Sequence, residues 1–314
     1  MPFTLSHPAA VLPLLRRPFV PAALVAGAMA PDVPYFLATS GIRSYAGAWY
    51  EPYLNATTSH TPTGVLTVTL PFTLALLAGY HLLREPVSAL LPAGFRLPDT
   101  GTTSATGSAV PRGAARYVRQ GAWLTLSALI GIATHLVWDS FTHADGYAVT
   151  RVAFLRDPVL GGLTLARLLQ HLSTAIGLAA LAGYLLRRRA RTGRTVPRPC
   201  AARPVRWTVI AALVLAALAG AATQTRGIDT YRTVTVYDMS RPIVQEENGV
   251  VSETYPSRTE RAPWPTVAEH ALSDAAKGTG AWLIGALLLY ATTWHLRLVP
   301  YARPPRGHHA RAHR

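Results

Sequence analysis

Long uncharged runs alternate with short arginine-rich ones along this chain. Five apolar runs, 64–83, 121–138, 168–186, 207–223 and 280–298, come close to the ~20 helical residues that a bilayer crossing takes. The pattern predicts an all-α polytopic membrane protein of about five transmembrane helices. A short N-terminal helix precedes them, because the apolar run ending Ala28-Met29-Ala30 is too short to cross and contains Pro21. Between 224 and 277 the period changes. Residues 233–237 (TVTVY) alternate in the manner of a strand. The stretches 243–245 and 250–252 flank Glu246-Glu247-Asn248-Gly249, and Asn-Gly favours a tight hairpin turn. A small extracytoplasmic β-hairpin is expected there, with Trp264, set between two prolines, anchoring it at the membrane interface.

Charge orients this arrangement. The stretch 84–120 carries five arginines against two acids, 187–206 eight arginines and no acid, and the tail beyond Leu296 five arginines and no acid. By contrast, 139–162 and 224–277 hold more acids than bases. Lys/Arg excess marks the cytoplasmic side, so the tail lies inside and residues 1–63 outside, in a plasma (inner) membrane. The organisation that follows is a membrane domain over 1–186, a basic cytoplasmic loop over 187–206, two further spans within 207–298 enclosing the extracytoplasmic loop 224–277, and a basic cytoplasmic tail over 299–314. The Gly/Ser/Thr/Pro-rich segment 98–113 reads as flexible. The net charge of +15 does not indicate nucleic acid, since the arginines flank apolar spans; the partner is the lipid bilayer. Cys200, the single cysteine, excludes an intramolecular disulfide. Arg16-Arg17, the apolar run and Ala28-Met29-Ala30 are also similar to an export signal, whose cleavage would remove His7. The other reading is a helix retained and packed against the bundle.

Against this apolar text a few polar residues stand out. In ATHLVWDSFTHADG, His135 and Asp139 are four apart, one above the other on a helix face, and His143 follows one turn later. An ionisable residue within a span is costly and functional by default. His7 (SHP), Asp32 (APDVPYF) and His60 (SHTPTG) are similarly isolated, and all fall on the same outer side. His171 sits one turn into the third span, counted from that side. The remaining histidines near the cytoplasmic side, His81, His295, His308, His309 and His313, are ordinary interface or tail residues. Thr61-Pro62 also reads as a helix entrance, with Thr61 capping and proline at the first position.

Histidine and carboxylate without thiolate suit zinc, and also manganese or iron. His7, Asp32, His60, His135 and Asp139 are the expected metal ligands, with His171 in reserve. His143 is the candidate general acid, or a partner that orients a ligand.

The stretches MPFTLSHPAAVLPL, GAMAPDVPYF, SHTPTG and THLVWDSFTHADG, the last followed by Tyr147 where tryptophan is usual, resemble a bacterial integral-membrane family known as domain-of-unknown-function family 4184. The likeness covers 1–180 in motif and the rest in topology. It implies a fold more than an activity. The order His, Pro-Asp, Ser/Thr-His-Ser/Thr, His-x-x-x-Asp is also similar to that of bacterial membrane-bound metal-dependent hydrolases, matched by His7, Asp32, His60, His135 and Asp139. Zinc-dependent phospholipase C has a comparable order with a later His-x-x-x-Glu. Here Ala175 stands four residues after His171, so that last element is missing.

These readings lead to a metal-dependent hydrolase of phosphoesters, lipid-borne ones among them, at the outer membrane face. The alternative is a non-catalytic scaffold, lipid-binding or metal-handling protein in which the cluster is structural. A transporter is disfavoured, since no paired charges sit at mid-span and no inverted repeat is evident.

Overall fold

A computed structural model describes residues 4–39, 55–91, 114–160, 163–191, 200–201, 203–225, 228–238, 240, 243–247, 250–296 and 301–302. The expected flexible segment 98–113, most of the basic tail and the centre of the basic loop lie outside them. The chain is mostly helical and divides into two units, Met1–Ile210 with Leu287–Arg314, and Ala211–Ala286.

The first unit opens with a 3₁₀ segment, Thr4–Leu14. Pro8 and Pro13 lack the N–H that an α-ladder needs, so the tighter, irregular winding is what this sequence permits. Then come α1 (Pro21–Met29), a 3₁₀ turn over Ala30–Asp32, α2 (Val33–Thr39), the single turn α3 (Ala56–Ser59) and α4 (Pro62–Leu90). The helices α5 (Ala114–Thr142), α6 (Tyr147–Arg151), α7 (Leu165–Arg191) and α8 (Arg203–Thr225) follow, the last passing into the second unit. Short ladders join β1 (Pro158–Leu160) to β2 (Leu163–Thr164), and β3 (Cys200–Ala201) to β8 (Tyr301–Ala302).

Within the second unit, β4 (Thr233–Tyr237) pairs antiparallel with β7 (Ser257–Arg261), and β5 (Ile243–Glu247) with β6 (Val250–Thr254). Glu247 faces Val250 across the expected two-residue Asn-Gly link. The hairpin predicted around Asn248-Gly249 is therefore formed, with a second ladder at its base. Helix α9 (Trp264–His295) begins here, with Trp264 exposed.

Among the described residues four helices are long and apolar enough to cross a bilayer: Pro62–Leu90, Ala114–Arg151, Leu165–Ala190 and Arg203–Gln224. They carry four of the five expected spans. The fifth expected stretch is the C-terminal part of α9, where Trp282, Tyr290, Thr292, Thr293 and Trp294 dilute the aliphatic run. His295 Nε2 donates to the Leu82 carbonyl at 3.0 Å.

The first unit is built around the α1–α5 contact. A Cβ on Gly27 would lie 2.3 Å from the Ala128 carbonyl oxygen, and one on Gly131 2.2 Å from that of Leu24. The two helices thus meet backbone to backbone. Val11, Leu24, Ala28, Ala128, Ile132 and His135 are sealed around that seam. The run ending at Ala30 is helical and packs on α5, its first turn tied there by a 2.9 Å bond from Val20 N–H to Ser127 Oγ.

Candidate metal centre

Close approach of α1 to α5 has a chemical result. It brings the Ala28 carbonyl to 2.8 Å from His135 Nδ1. A carbonyl only accepts, so Nδ1 carries a proton, and in the neutral ring the Nε2 lone pair of His135 is free. His60 is set in the same way: its Nδ1 donates to the Ala56 carbonyl at 2.7 Å, one turn back on α3. Backbone carbonyls that fix imidazole tautomers are characteristic of metal-binding histidines.

The His60 turn is built by its neighbours. Ser59 Oγ donates to the Pro31 carbonyl at 2.7 Å, fastening α3 to the turn that carries Asp32. Thr61 Oγ1 accepts from Gly64 N–H at 3.0 Å with Pro62 at the first helical position, so Thr61 caps α4 as predicted. The first turns of α4 wind as a π-segment over Val65–Thr69, and Thr69 donates to the Ser59 carbonyl at 2.7 Å. Replacing Ser59 with alanine removes this side-chain tie between α3 and the Pro31 carbonyl. The expected cost is about 1–2 kcal/mol, read as a lower midpoint of unfolding in detergent.

Asp139 stands at the centre. Its Oδ1 lies 3.0 Å from His7 Nε2 and 3.5 Å from His143 Nδ1, and its Oδ2 lies 3.1 Å from His135 Nε2 and 3.5 Å from His60 Nε2. Asp32, 1 % exposed, receives a hydrogen bond from Thr4 Oγ1 on Oδ2 at 2.7 Å. Its Oδ1 points to His135 Nε2, 3.5 Å away. Tyr35, one turn further on, is pushed up to about 12 by burial and then by the nearby carboxylates, so it stays a neutral hydroxyl.

One ligand atom from each of Asp32, His60, His135 and Asp139 lies within 4.8 Å of the others. Four donors bound ~2.1 Å from one ion at tetrahedral angles stand about 3.4 Å apart. The three separations along this set, 3.1, 3.5 and 3.5 Å, bracket that value. His135 Nε2 and Asp32 Oδ1 are also buried with no directed hydrogen-bond partner. Lone pairs facing one another in a buried site repel unless a cation lies between them. The donor set and its orphaned atoms therefore fit a divalent metal.

The other expected residues divide. The ring of His7 stacks on that of His135, centroids 3.9 Å apart. Its Nε2 reaches Asp139 Oδ1, the oxygen opposite the one that His135 and His60 face, and it is not one of the four donors. His143, partly exposed at the rim, also reaches the Asp139 backbone carbonyl at 3.3 Å. His171 lies exposed on α7 and is not brought into the group. Thr4, Ser59 and Tyr35 were not singled out from sequence. Ser59 was adjacent to a signal, in SHTPTG; a lone threonine such as Thr4 gives none.

A family model described as "Domain of unknown function (DUF4184)" matches residues 1–292. No curated protein and no solved structure matches the chain.

Proposed function

The chain belongs to the DUF4184 family, and on that footing we propose that it is a membrane-embedded, metal-dependent hydrolase of phosphoesters, its site facing the outer side of the plasma membrane. One observation carries the reading. Two imidazoles locked by backbone carbonyls turn their Nε2 atoms toward two buried carboxylates at the separations a single ion imposes. Asp32, His60, His135 and Asp139 hold the ion, with zinc the first choice and manganese or iron as alternatives. When bound, a divalent metal supplies water activation near neutral pH and charge for the phosphoryl oxygens.

The chain's own groups do the rest. His7 donates from Nε2 to Asp139 Oδ1 and so fixes that carboxylate's orientation. Thr4 does the same for Asp32. Ala28 and Ala56 keep both ligand imidazoles in the tautomer that leaves Nε2 free. His143, held through Nδ1 at the rim, gives its proton to the departing oxygen as the P–O bond breaks and water adds to phosphorus.

His143→Gln should keep the metal and lower kcat by about 10²–10⁴-fold, the range for loss of a general acid. A general acid works only while protonated, so the wild-type rate should fall on the alkaline side. That limb should be absent in His143→Gln. Retention of the limb assigns the proton to another group.

The test of the reading is metal analysis of the purified protein, then assay of the loaded form against phospholipids and simple phosphoesters. Bound metal with no cleavage of either class overturns the hydrolase and leaves a metal-handling or scaffold protein. That alternative has its own support. His135 Nε2 lies 3.1 Å from Asp139 Oδ2, a length that an imidazolium proton would also satisfy. A protein free of metal but stably folded favours this closed ion-pair cluster.

A further inference from the structure

Beside the cluster, the 3₁₀ segment, α5 and α7 enclose an open groove of about 700 Å³. We infer that this groove holds one acyl chain of a membrane phospholipid, so that the substrate is a lipid gripped by its tail. The substrate part of this inference rests on the hydrolase reading above; the tail site does not.

Three features of the groove specify the occupant. First, two of its walls, α5 and α7, are helices long and apolar enough to cross the bilayer, and the side chains they present to it are mostly apolar. Phe141, Leu172 and Ile176 are 47, 48 and 66 % exposed. An open apolar groove at that level is surrounded by lipid tails rather than water. Second, its length is right. Along α7 it runs from Leu169 to Ala180, which at ~1.5 Å per residue is about 16 Å, roughly half of a ~30 Å hydrocarbon core. That is the depth of one leaflet, and so of one tail. Third, it adjoins the chemistry. His7 lines the groove and, through Nε2, holds Asp139. A tail seated there brings its own headgroup to the cluster.

The floor is shaped for a slender occupant. A Cβ on Gly177 would stand 3.0 Å from both Cβ and the carbonyl oxygen of Ser6. α7 therefore presses against the 3₁₀ segment, leaving small residues at 9, 10, 177 and 180 under the channel.

Ala180→Trp fills the groove from an exposed position on α7, and Ala10→Trp from an exposed position on the 3₁₀ segment. Each protein is placed in nanodiscs of phosphatidylglycerol doped with phosphatidylglycerol bearing a diazirine on its acyl chain, then irradiated and mapped by mass spectrometry. Labelling in the wild type should concentrate on Leu172, Ile176 and Phe141 relative to other lipid-facing positions, and fall about tenfold in either variant. Labelling no denser there than elsewhere, or unmoved by both tryptophans, overturns the tail site. In parallel, cleavage of long-chain phosphatidylglycerol is compared with that of p-nitrophenyl phosphate. The ratio should drop about tenfold in Ala180→Trp. An unchanged ratio in an active enzyme refutes the lipid substrate. Groove labelling without any cleavage supports the tail site while the hydrolase reading alone fails.

Discussion

Asp139→Asn is expected to empty the metal centre and to remove phosphoester cleavage, by three orders of magnitude or about 4 kcal/mol of transition-state stabilisation, the upper scale for one preorganised electrostatic element. The substitution preserves shape while discarding the charge. Asp139 meets four imidazoles at 3.0–3.5 Å, one pair on each oxygen. An amide would place an N–H₂ donor where one pair now faces an acceptor. Whichever way the amide turns, either His7 loses its acceptor or His135 and His60 meet a donor. Metal content by elemental analysis should fall to background in detergent, with the helical circular dichroism retained. If metal stays stoichiometric and cleavage persists, the site lies elsewhere. If the wild type binds no ion and the variant is strongly destabilised, its imidazolium left without a counter-charge, the cluster is the closed ion pair.

Gly131→Ala is expected to force the α1–α5 seam apart. Its Cβ would sit 2.2 Å from the Leu24 carbonyl oxygen and 2.9 Å from Ala28 N. Neither neighbour is a flexible side chain, so the whole of α1 must move outward. Overpacking of this kind costs about 1–3 kcal/mol, visible as a lower thermal midpoint. The functional cost exceeds the structural one, because the displaced carbonyl of Ala28 is the acceptor for His135 Nδ1. Loss of such an orienting bond weakens metal affinity about 10–100-fold. Titration with zinc at a temperature where the variant is folded separates the two effects. A lower midpoint with unchanged affinity would detach the seam from the centre.

The sequence revealed the site because polar groups are conspicuous in apolar text. His7, Asp32, His60, His135 and Asp139 were each identifiable without neighbours, and folding gathers all five. Which of them face a common point was not legible. His7 and His135 are both lone histidines in sequence, yet Nε2 of one reaches Asp139 Oδ1, while the other reaches Asp139 Oδ2 and belongs to the four-donor group. His171 shows the limit of counting turns. Its depth along α7 was right for the site, but depth says nothing of direction around the helix, and its side chain lies exposed. The hairpin was legible from Asn-Gly, whereas β7 was not: Ser-Arg-Thr-Glu-Arg is exposed throughout and leaves no apolar period to read. Packing by absence, as at Gly27 against Gly131, was equally silent.

The two acceptors that set the imidazoles belong to the main chain at positions 28 and 56. No side-chain replacement deletes a peptide oxygen. Drift at position 56, which is only partly buried, would leave proton placement on His60 intact so long as the turn persists. A comparison of related chains would therefore score that column as unimportant while the atom behind it stayed indispensable. Its contribution becomes measurable only by chemistry that alters the backbone itself, such as an ester in place of the amide.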